Sequence, residues 1–305
     1  MKKTKDRGSL LAIEPLSPQQ ITAYLKLARR MDPARPKTLL KNKRVVLLFY
    51  ESSTRTRTSF EFAAKALGAV TTLVSASASS IEKGESLIDT GKTLRALGAD
   101  AIVVRHPNSG APYVLARHLE IPIINAGDGL HAHPSQALLD AYTMLQHFRN
   151  LKGLRVLITG DILHSRVARS NVELLSKFGA RVTLCGPRIL LPDLATTLAP
   201  NVRITRNFEE GLQGVDVVMM LRVQKERLQG LEIDPKEYVA NYQLTAERLK
   251  LAAKNAIVMH PGPIIRGMEL TDEVADGDQS VIVEQVNNGV RTRMAILAHH
   301  LGGKR

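Results

Sequence analysis

The chain has little cysteine and few aromatic residues: one cysteine and 4% aromatics among 305 residues. A single cysteine, Cys185, excludes an intramolecular disulfide and suits a reducing cytoplasm. Its place in an apolar strand pattern predicts that it lies in the core. No apolar run approaches the roughly 20 residues that a membrane helix needs, and the apolar stretch near the N-terminus is too short for a signal peptide. These absences predict a soluble, cytoplasmic protein.

Acidic residues are also scarce, with 29 Asp and Glu against 42 Lys and Arg, which gives a net charge of +13. A basic chain can bind nucleic acid. Here, however, the basic residues are spread along the chain, aromatic residues rarely accompany them, and the sequence contains no nucleic-acid-binding motif. A dianionic substrate or an acidic partner chain explains the sign equally well. Charge alone leaves these classes open.

Metal and dinucleotide motifs are missing too. His131 and His133 stand two apart on a predicted loop, without the cysteine or carboxylate cluster that a zinc site needs. The segment Gly160–Arg166 runs from a predicted strand end into a helix start but lacks the GxGxxG pattern of dinucleotide sites. The sequence therefore offers no metal-site spacing, and it supports a dinucleotide site only weakly.

The sequence does contain a regular alternation of short apolar strands and helices. With 44% hydrophobic residues and a mean hydropathy of −0.08, this pattern predicts an α/β fold of two doubly wound, parallel-sheet (Rossmann-like) domains. We expect domains at 1–150 and 151–288, with a C-terminal helix in 289–305 packing back on the first. The predicted strands are Arg44–Tyr50, Ala69–Ser75, Ala101–Val104, Ile121–Asn125, Arg155–Thr159, Arg181–Cys185, Val202–Thr205, Val215–Leu221 and Ala256–His260.

The stretch 44–68 carries the strongest local signal for a ligand site. A buried strand is followed by a tight turn at 51–53, and a helix with Ser53 or Thr54 as its N-cap then runs to Gly68. Hydroxyl groups crowd this helix start together with the guanidinium groups of Arg55 and Arg57. Free backbone N–H groups, the helix dipole and fixed cations together predict an anion pocket, most naturally for phosphate. The alternative is a well-capped helix with solvated arginines, but a cap needs only one hydroxyl.

Two further polar segments, Arg105-His106 and His131–Gln136, follow other strands of the same predicted sheet. Ligands gather beyond the carboxyl ends of parallel strands. Three polar segments at one sheet edge therefore predict a site there.

The segment STRTR at 53–57 resembles the carbamoyl-phosphate motif of the aspartate and ornithine carbamoyltransferases, and the resemblance runs from about residue 39 to the final helix. It implies that the first domain binds carbamoyl phosphate and that the active site lies between the two domains. Arg105 resembles a second phosphate-binding arginine, and the string NAGDGLHAHPSQ at 125–136 supplies a histidine for the carbonyl oxygen and a glutamine for the carbamoyl end. The implied carbamoyl-phosphate ligands are Ser53, Thr54, Arg55, Thr56, Arg105, His133, Gln136, Gly262 and Pro263, and the implied catalytic residues are Arg55, Lys83, Arg105 and His133.

The polar run at 79–86 resembles the family's mobile loop, in which a serine and a lysine reach the active site of the neighbouring subunit. The resemblance implies this role for Ser79 and Lys83. A loop that acts on a neighbour in this way implies at least a trimer. The expected assembly is thus a homotrimer, within which regulatory chains or a dihydroorotase are conceivable partners.

The second domain is expected to choose the acceptor amine. Arg166 resembles the arginine that binds the α-carboxylate of aspartate, and Arg222 with Gln224 resembles the pair at its side-chain carboxylate, while Lys83 completes the implied aspartate site. Two arginines for two carboxylates agree with the bidentate geometry of guanidinium groups. The segment HPGP at 260–263 resembles the glycine form found in aspartate members, and the segments typical of ornithine members are absent.

The resemblance therefore implies carbamoyl transfer from carbamoyl phosphate to L-aspartate, giving N-carbamoyl-L-aspartate and phosphate, an early step of de novo pyrimidine biosynthesis. No metal, nucleotide or organic cofactor and no membrane is implied. Three alternatives remain: a carbamoyltransferase for another amino acid, a non-catalytic scaffold of the same family, and a nucleic-acid-binding protein. A scaffold would be expected to have lost one of the four implied catalytic residues, and all four are present.

Overall fold

The structure is a computed structural model that describes residues 8–75, 84–223 and 233–302. Internal contacts divide the chain into two compact units, Met1–Leu139 with Asn287–Arg305, and Asp140–Val286. Such units are defined by contacts and not by independent folding, so the domain boundaries expected from the sequence stay a prediction.

The first unit is built on a four-stranded parallel sheet. Its strands are β1 (Arg44–Phe49), β2 (Val70–Ser75), β3 (Ala101–His106) and β4 (Ile123–Asp128), in the spatial order β2-β1-β3-β4. The helices that precede or follow them are α1 (Pro18–Arg29), α2 (Thr54–Ala66), α3 (Leu87–Ala96), α4 (Ala111–His118) and α5 (Pro134–His147). The strand order reverses between β1 and β3, which is where ligands bind in open α/β sheets.

Both faces of this sheet are buried along its inner strands β1 and β3, whereas the edge strand β2 is partly exposed. Val46 and Leu48 of β1 pack in one apolar cluster with α4, while the alternate residues Val45 and Leu47 are buried as well. Side chains of a strand alternate between the two faces, so the near-continuous apolar run of β1 reflects cover on both sides. This is the reason that parallel strands lack a polar face in sequence.

The second unit repeats the plan with five parallel strands. They are β5 (Arg155–Thr159), β6 (Arg181–Cys185), β7 (Arg203–Thr205), β8 (Val217–Met220) and β9 (Ile257–Met259), in the order β7-β6-β5-β8-β9. Its helices are α6 (Arg166–Lys177), α7 (Phe208–Leu212), α8 (Pro235–Tyr242), α9 (Ala246–Leu249) and α10 (Asp272–Ala275), with a 3₁₀ helix at Asp193–Leu198. Here the order reverses between β5 and β8. Cys185 lies in the core, as predicted.

The last helix, α11 (Ile282–Leu301), begins well before the predicted start near Arg291. Its first half contains the polar residues Gln285 and Asn288, which are nonetheless buried. Polar side chains in the core blurred the apolar periodicity on which the prediction relied.

The two-domain parallel α/β fold predicted from the sequence is thus confirmed. None of the helices that the structure describes is both long and apolar enough to span a bilayer.

Candidate active site

In the first unit, α2 starts directly beyond the carboxyl end of β1. Ser53 occupies the N-cap with extended backbone, φ −161° and ψ 104°. Among the described residues, however, its hydroxyl makes no capping hydrogen bond. Of the two candidates from the sequence, Ser53 or Thr54, Ser53 takes the N-cap position, but its side chain does not act as the cap and is available to a ligand.

A cleft of about 460 Å³ opens at this helix start. Its size falls in the range of ~300–1,000 Å³ that is usual for small-molecule sites. The strand end, the turn, the first turn of α2 and the neighbouring strand β2 supply the lining, which consists of Phe49, Tyr50, Glu51, Ser52, Ser53, Thr54, Arg57, Leu73 and Ser75. Two of the predicted phosphate ligands, Ser53 and Thr54, thus face a real cleft.

The two arginines of the motif differ in their surroundings. Arg57 lines the cleft, whereas Arg55 is not among the lining residues. Arg55 is exposed, yet desolvation by neighbouring protein atoms lowers the pKa of its guanidinium from the ordinary value. A bound anion would counter that effect, because an opposite charge nearby favours the charged form. Thr56, the remaining predicted ligand of this motif, is buried.

Arg105 lies at the end of β3, next to β1 in the sheet. Its Nε donates to Glu51 Oε2 at 3.2 Å, and both side chains are about four-fifths buried. Glu51 also lines the cleft. This ion pair fixes the Arg105 guanidinium beside the cleft, and the sequence did not reveal that role of Glu51.

His133 and Gln136 open α5, which follows β4. The His133 carbonyl accepts hydrogen bonds from the backbone N–H groups of Gln136 (3.0 Å) and Ala137 (3.2 Å), so His133 takes the capping position. Its imidazole is buried, with Nδ1 3.4 Å from Ser135 Oγ, and Gln136 is buried too. Both predicted residues therefore lie at the helix start beyond β4, at the same sheet edge as Ser53 and Arg105.

Asp128 holds the loop that delivers His133. Its carboxylate is fully buried and accepts from Gly110 N (2.7 Å), Asn125 Nδ2 (2.7 Å) and Ala132 N (3.2 Å). It also lies 3.1 Å from His131 Nδ1. The polar residues around His133 in the sequence are therefore the scaffold of the loop, a function that the motif alone did not separate from ligand binding.

In the second unit, Arg166 is the first residue of α6, beyond the carboxyl end of β5, and is buried. Ser165 caps the helix by accepting from Ala168 N at 3.0 Å. The turn before it is fixed by the fully buried Asp161, which accepts from the backbone N–H of His164 (3.0 Å) and pairs with its Nδ1 (2.9 Å). The position of Arg166 is thus set by a hydrogen-bonded turn.

Arg222 follows β8, the neighbour of β5 in the parallel sheet. The two strand ends approach closely: a Cβ on Gly160 would lie 2.5 Å from the Leu221 carbonyl oxygen, and Gly160 has φ +126°. Only glycine accepts both conditions readily. Arg166 and Arg222 therefore occupy adjacent strand ends at one edge of the sheet.

The next strand, β9, ends at the HPGP segment, so Gly262 and Pro263 share this edge. The Gly262–Pro263 peptide is cis, and the backbone N–H of Gly262 donates to His260 Nδ1 at 2.9 Å. Three neighbouring strands, β5, β8 and β9, thus bring Arg166, Arg222 and the Gly262–Pro263 turn to one edge of the sheet.

Glu269 ties two of these segments to each other. It is fully buried, and its carboxylate accepts from Ile265 N (2.8 Å) and Val223 N (3.2 Å). Burial raises the pKa of the Glu269 carboxyl, while these two backbone N–H groups, that of Glu269 itself and the charge of Arg222 act in the opposite direction. Sequence reasoning missed Glu269, since nothing near it in the chain marks it as functional.

Three predicted site residues, Ser79, Lys83 and Gln224, lie outside the described residues. Within the described ranges, no three His, Cys, Asp or Glu side chains group closely enough to hold a metal ion.

Family models cover nearly the whole chain. Residues 8–146 match the aspartate/ornithine carbamoyltransferase carbamoyl-P binding domain, and residues 152–300 match the Asp/Orn binding domain of the same family. The chain belongs to the aspartate/ornithine carbamoyltransferase family. It is 64% identical over 295 residues to the aspartate carbamoyltransferase catalytic subunit of Koribacter versatilis, an alignment that covers 97% of each chain.

Solved structures show both branches of the family. Aspartate transcarbamoylase from Trypanosoma cruzi, in complex with carbamoyl aspartate and phosphate, matches with a TM-score of 0.87 at 32% identity, over 96% of this chain and 95% of that one. Ornithine carbamoyltransferase from Pyrococcus furiosus matches with a TM-score of 0.86 at 27% identity, over 97% and 98%. The fold is therefore common to both branches, and only the residues at the site can distinguish the acceptors.

Proposed function

We propose that the chain transfers the carbamoyl group of carbamoyl phosphate to the amine of L-aspartate, giving N-carbamoyl-L-aspartate and phosphate. The observation that carries this proposal is the placement of Arg166 and Arg222 on adjacent strand ends. Two guanidinium groups at one edge match the two carboxylates of aspartate, because each can bind a carboxylate bidentately. The identity to aspartate carbamoyltransferase catalytic subunits supports the same acceptor.

Ornithine fits this edge poorly. Its side chain ends in an ammonium group, which would meet the like charge of Arg222. Because the solved ornithine enzyme has the same fold, the sign of the charge at the acceptor site is the feature that decides between the two branches.

In the proposed reaction, the aspartate amine nitrogen attacks the carbonyl carbon of carbamoyl phosphate. The new C–N bond forms as the C–O bond to phosphate breaks, and the departing phosphate takes up the proton that the amine loses. Ser53, Thr54 and Arg55 hold the phosphate at the start of α2. Arg105 neutralises charge that gathers on the leaving group, and His133 donates a hydrogen bond to the carbonyl oxygen, with the role of an oxyanion-hole donor.

The remaining residues position the reactants. Gln136 and the backbone of Gly262 and Pro263 bind the carbamoyl end, where carbonyl groups accept from its amide and from the attacking amine. Gln224 supports Arg222 at the side-chain carboxylate. Catalysis of this kind relies on orientation and preorganised charge and requires no covalent intermediate.

We further propose a homotrimer in which Ser79 and Lys83 of one subunit complete the site of the next. Strand β2 supports this assembly because it lies at the edge of its sheet with Val70 and Leu73 exposed, and Leu73 also lines the cleft. The exposed Phe62 lies on α2, which packs against β2. Apolar strand edges favour association, so a second subunit covering β2 would reach the cleft. Regulatory chains or a dihydroorotase would be additions to such a trimer.

We propose that this reaction is an early step of pyrimidine biosynthesis and that the protein acts in the cytoplasm.

The test is to incubate the purified chain with carbamoyl phosphate and either aspartate or ornithine, and to measure phosphate and carbamoylated product. We expect equal amounts of phosphate and N-carbamoyl-L-aspartate with aspartate, and no product with ornithine. Turnover with ornithine would overturn the acceptor assignment. Turnover with neither, by a chain that still binds carbamoyl phosphate, would favour a scaffold or another acceptor.

A further inference from the structure

The second unit contains a buried carboxylate to which the proposed reaction gives no role. Asp140 lies on α5 with its side chain fully buried. Its Oδ1 accepts from Gln285 Nε2 at 2.7 Å, and its Oδ2 accepts from Asn171 Nδ2 at 2.8 Å. A carboxylate that accepts from two amides makes charge-assisted hydrogen bonds, which are stronger than bonds between neutral groups.

The first branch of this network leads to the turn that follows β9. Gln285 on α11 is itself buried, and its Oε1 accepts from the backbone N–H of His260 at 3.0 Å. His260 Nδ1 in turn accepts from Gly262 N at 2.9 Å. A continuous chain of three hydrogen bonds therefore connects Asp140 to the backbone of the turn that contains Pro263.

The second branch leads to the helix that presents Arg166. Asn171 on α6 is fully buried, and its Nδ2 donates to the Val167 carbonyl at 3.1 Å as well as to Asp140. Val167 is the second residue of α6 and directly follows Arg166. Asp140 is thus anchored to the first turn of the helix that begins with the proposed α-carboxylate arginine.

We infer that Asp140 is a positioning residue that holds two substrate-binding segments, the start of α6 and the turn at Gly262–Pro263, at a fixed distance from each other. The inference rests on the proposed function for the roles of Arg166 and the turn. Asp140 does not touch substrate; it acts through Asn171 and Gln285. Both branches depend on the same carboxylate, and a buried polar network tolerates the loss of one member poorly.

The polarity of the network provides a specific test. In Asp140→Asn, the new NH₂ group faces one of the two amide donors, so one branch is broken. In Gln285→Glu, two carboxylates face each other and repel. In the double variant, which combines both substitutions, the new amide donates to one oxygen of the new carboxylate, and the other oxygen still accepts from His260. The hydrogen bonds of this branch therefore form again with reversed polarity.

Asp216→Asn is the matched control. Asp216 accepts from the backbone and the guanidinium group of Arg155, at the opposite, amino-terminal edge of the sheet. Its substitution removes similar hydrogen bonds far from the proposed site. Two measurements are compared in all variants: kcat/KM for aspartate, and amide hydrogen exchange of the peptide that contains residues 260–262.

For Asp140→Asn and Gln285→Glu we expect kcat/KM for aspartate to fall by about tenfold or more, since small misplacements of binding groups cost this much. Exchange at His260 and Gly262 should become faster in Gln285→Glu, which disturbs the branch that leads to this turn, and the double variant should recover both properties. Asp216→Asn should lower the unfolding midpoint while leaving both properties unchanged. Unaltered exchange at 260–262 in Gln285→Glu, or loss of activity that tracks only the loss of stability in all three single variants, would overturn the inference.

Different results would exclude the proposed function and the positioning role of Asp140. If the wild-type chain does not carbamoylate aspartate, the proposed function is wrong, whatever the exchange data show. If the wild type is active and Gln285→Glu keeps normal exchange at the turn, or Asp140→Asn keeps normal kcat/KM, the positioning role is wrong and the function stands.

Discussion

Glu269→Gln is expected to loosen the Arg222 segment and weaken aspartate recognition. Glu269 is fully buried and accepts from Val223 N and Ile265 N. Glutamine has one acceptor oxygen, so its NH₂ group must face one of these donors and leave it unsatisfied. A buried unsatisfied donor costs about 1–3 kcal/mol. We therefore expect the free energy of unfolding to fall by about that amount.

Activity toward aspartate should fall together with stability. Arg222 loses a neighbouring carboxylate, and the backbone N–H of Val223 next to it loses its hydrogen-bond acceptor. A loss of about 1.4 kcal/mol at the transition state lowers kcat/KM tenfold, and the effect should appear mainly in KM for aspartate. Chemical denaturation and initial-rate kinetics measure the two quantities. Glu273→Gln, at an exposed position four residues further along, is the control and should change stability by less than about 0.5 kcal/mol.

The stability difference between the wild type and Glu269→Gln should also depend on pH. Burial raises the pKa of Glu269 above its ordinary value of 4.5, so between pH 4.5 and the folded pKa the native state binds more protons than the unfolded state. The resulting contribution to stability is fully present below pH 4.5 and is lost as the pH rises through the folded pKa. The stability difference between wild type and Glu269→Gln should accordingly grow as the pH falls. If Glu269→Gln had the same unfolding midpoint and the same KM for aspartate as Glu273→Gln, this reasoning would be refuted.

Two further predictions concern the phosphate pocket and the assembly. Arg55→Ala should weaken carbamoyl phosphate binding by about tenfold or more without unfolding the chain, because a hydrogen bond to a charged group contributes about that much. Calorimetric titration measures the affinity. The control is Lys65→Ala, an exposed position at the other end of α2. Near-normal affinity would exclude the pocket assignment. Mixing Lys83→Ala chains with Arg55→Ala chains should restore part of the activity, because hybrid trimers contain one intact shared site. Verified mixed trimers without any recovery would rule out a loop that acts on the neighbouring subunit.

The sheets were predictable because their determinants are local. Strands such as β1 and β5 are apolar runs bounded by polar turns, and their observed limits agree with the predicted ones within about a residue. In parallel sheets the carboxyl ends of the strands share one edge. This places Ser53, Arg105 and His133 together in the first unit, and Arg166 and Arg222 together in the second.

The supporting network was not predictable, since its partners are far apart in sequence. Asp140 and Gln285 are separated by 145 positions, and Glu269 and Val223 by 46. A buried Asp or Gln has no periodic signature of its own, and in α11 Gln285 even obscured the helix start. The sequence also could not predict that the Ser53 hydroxyl makes no capping hydrogen bond. A preferred N-cap residue does not reveal whether its side chain makes the cap.

The central claim is that Arg222 selects the acceptor by its side-chain carboxylate. The most direct measurement is kcat/KM for aspartate and for asparagine, in the wild type and in Arg222→Gln. We expect the wild type to prefer aspartate strongly and the variant to lose about 30-fold toward aspartate, corresponding to about 2 kcal/mol for a charge-assisted hydrogen bond, with little change toward asparagine. An unchanged preference for aspartate in Arg222→Gln would contradict the account.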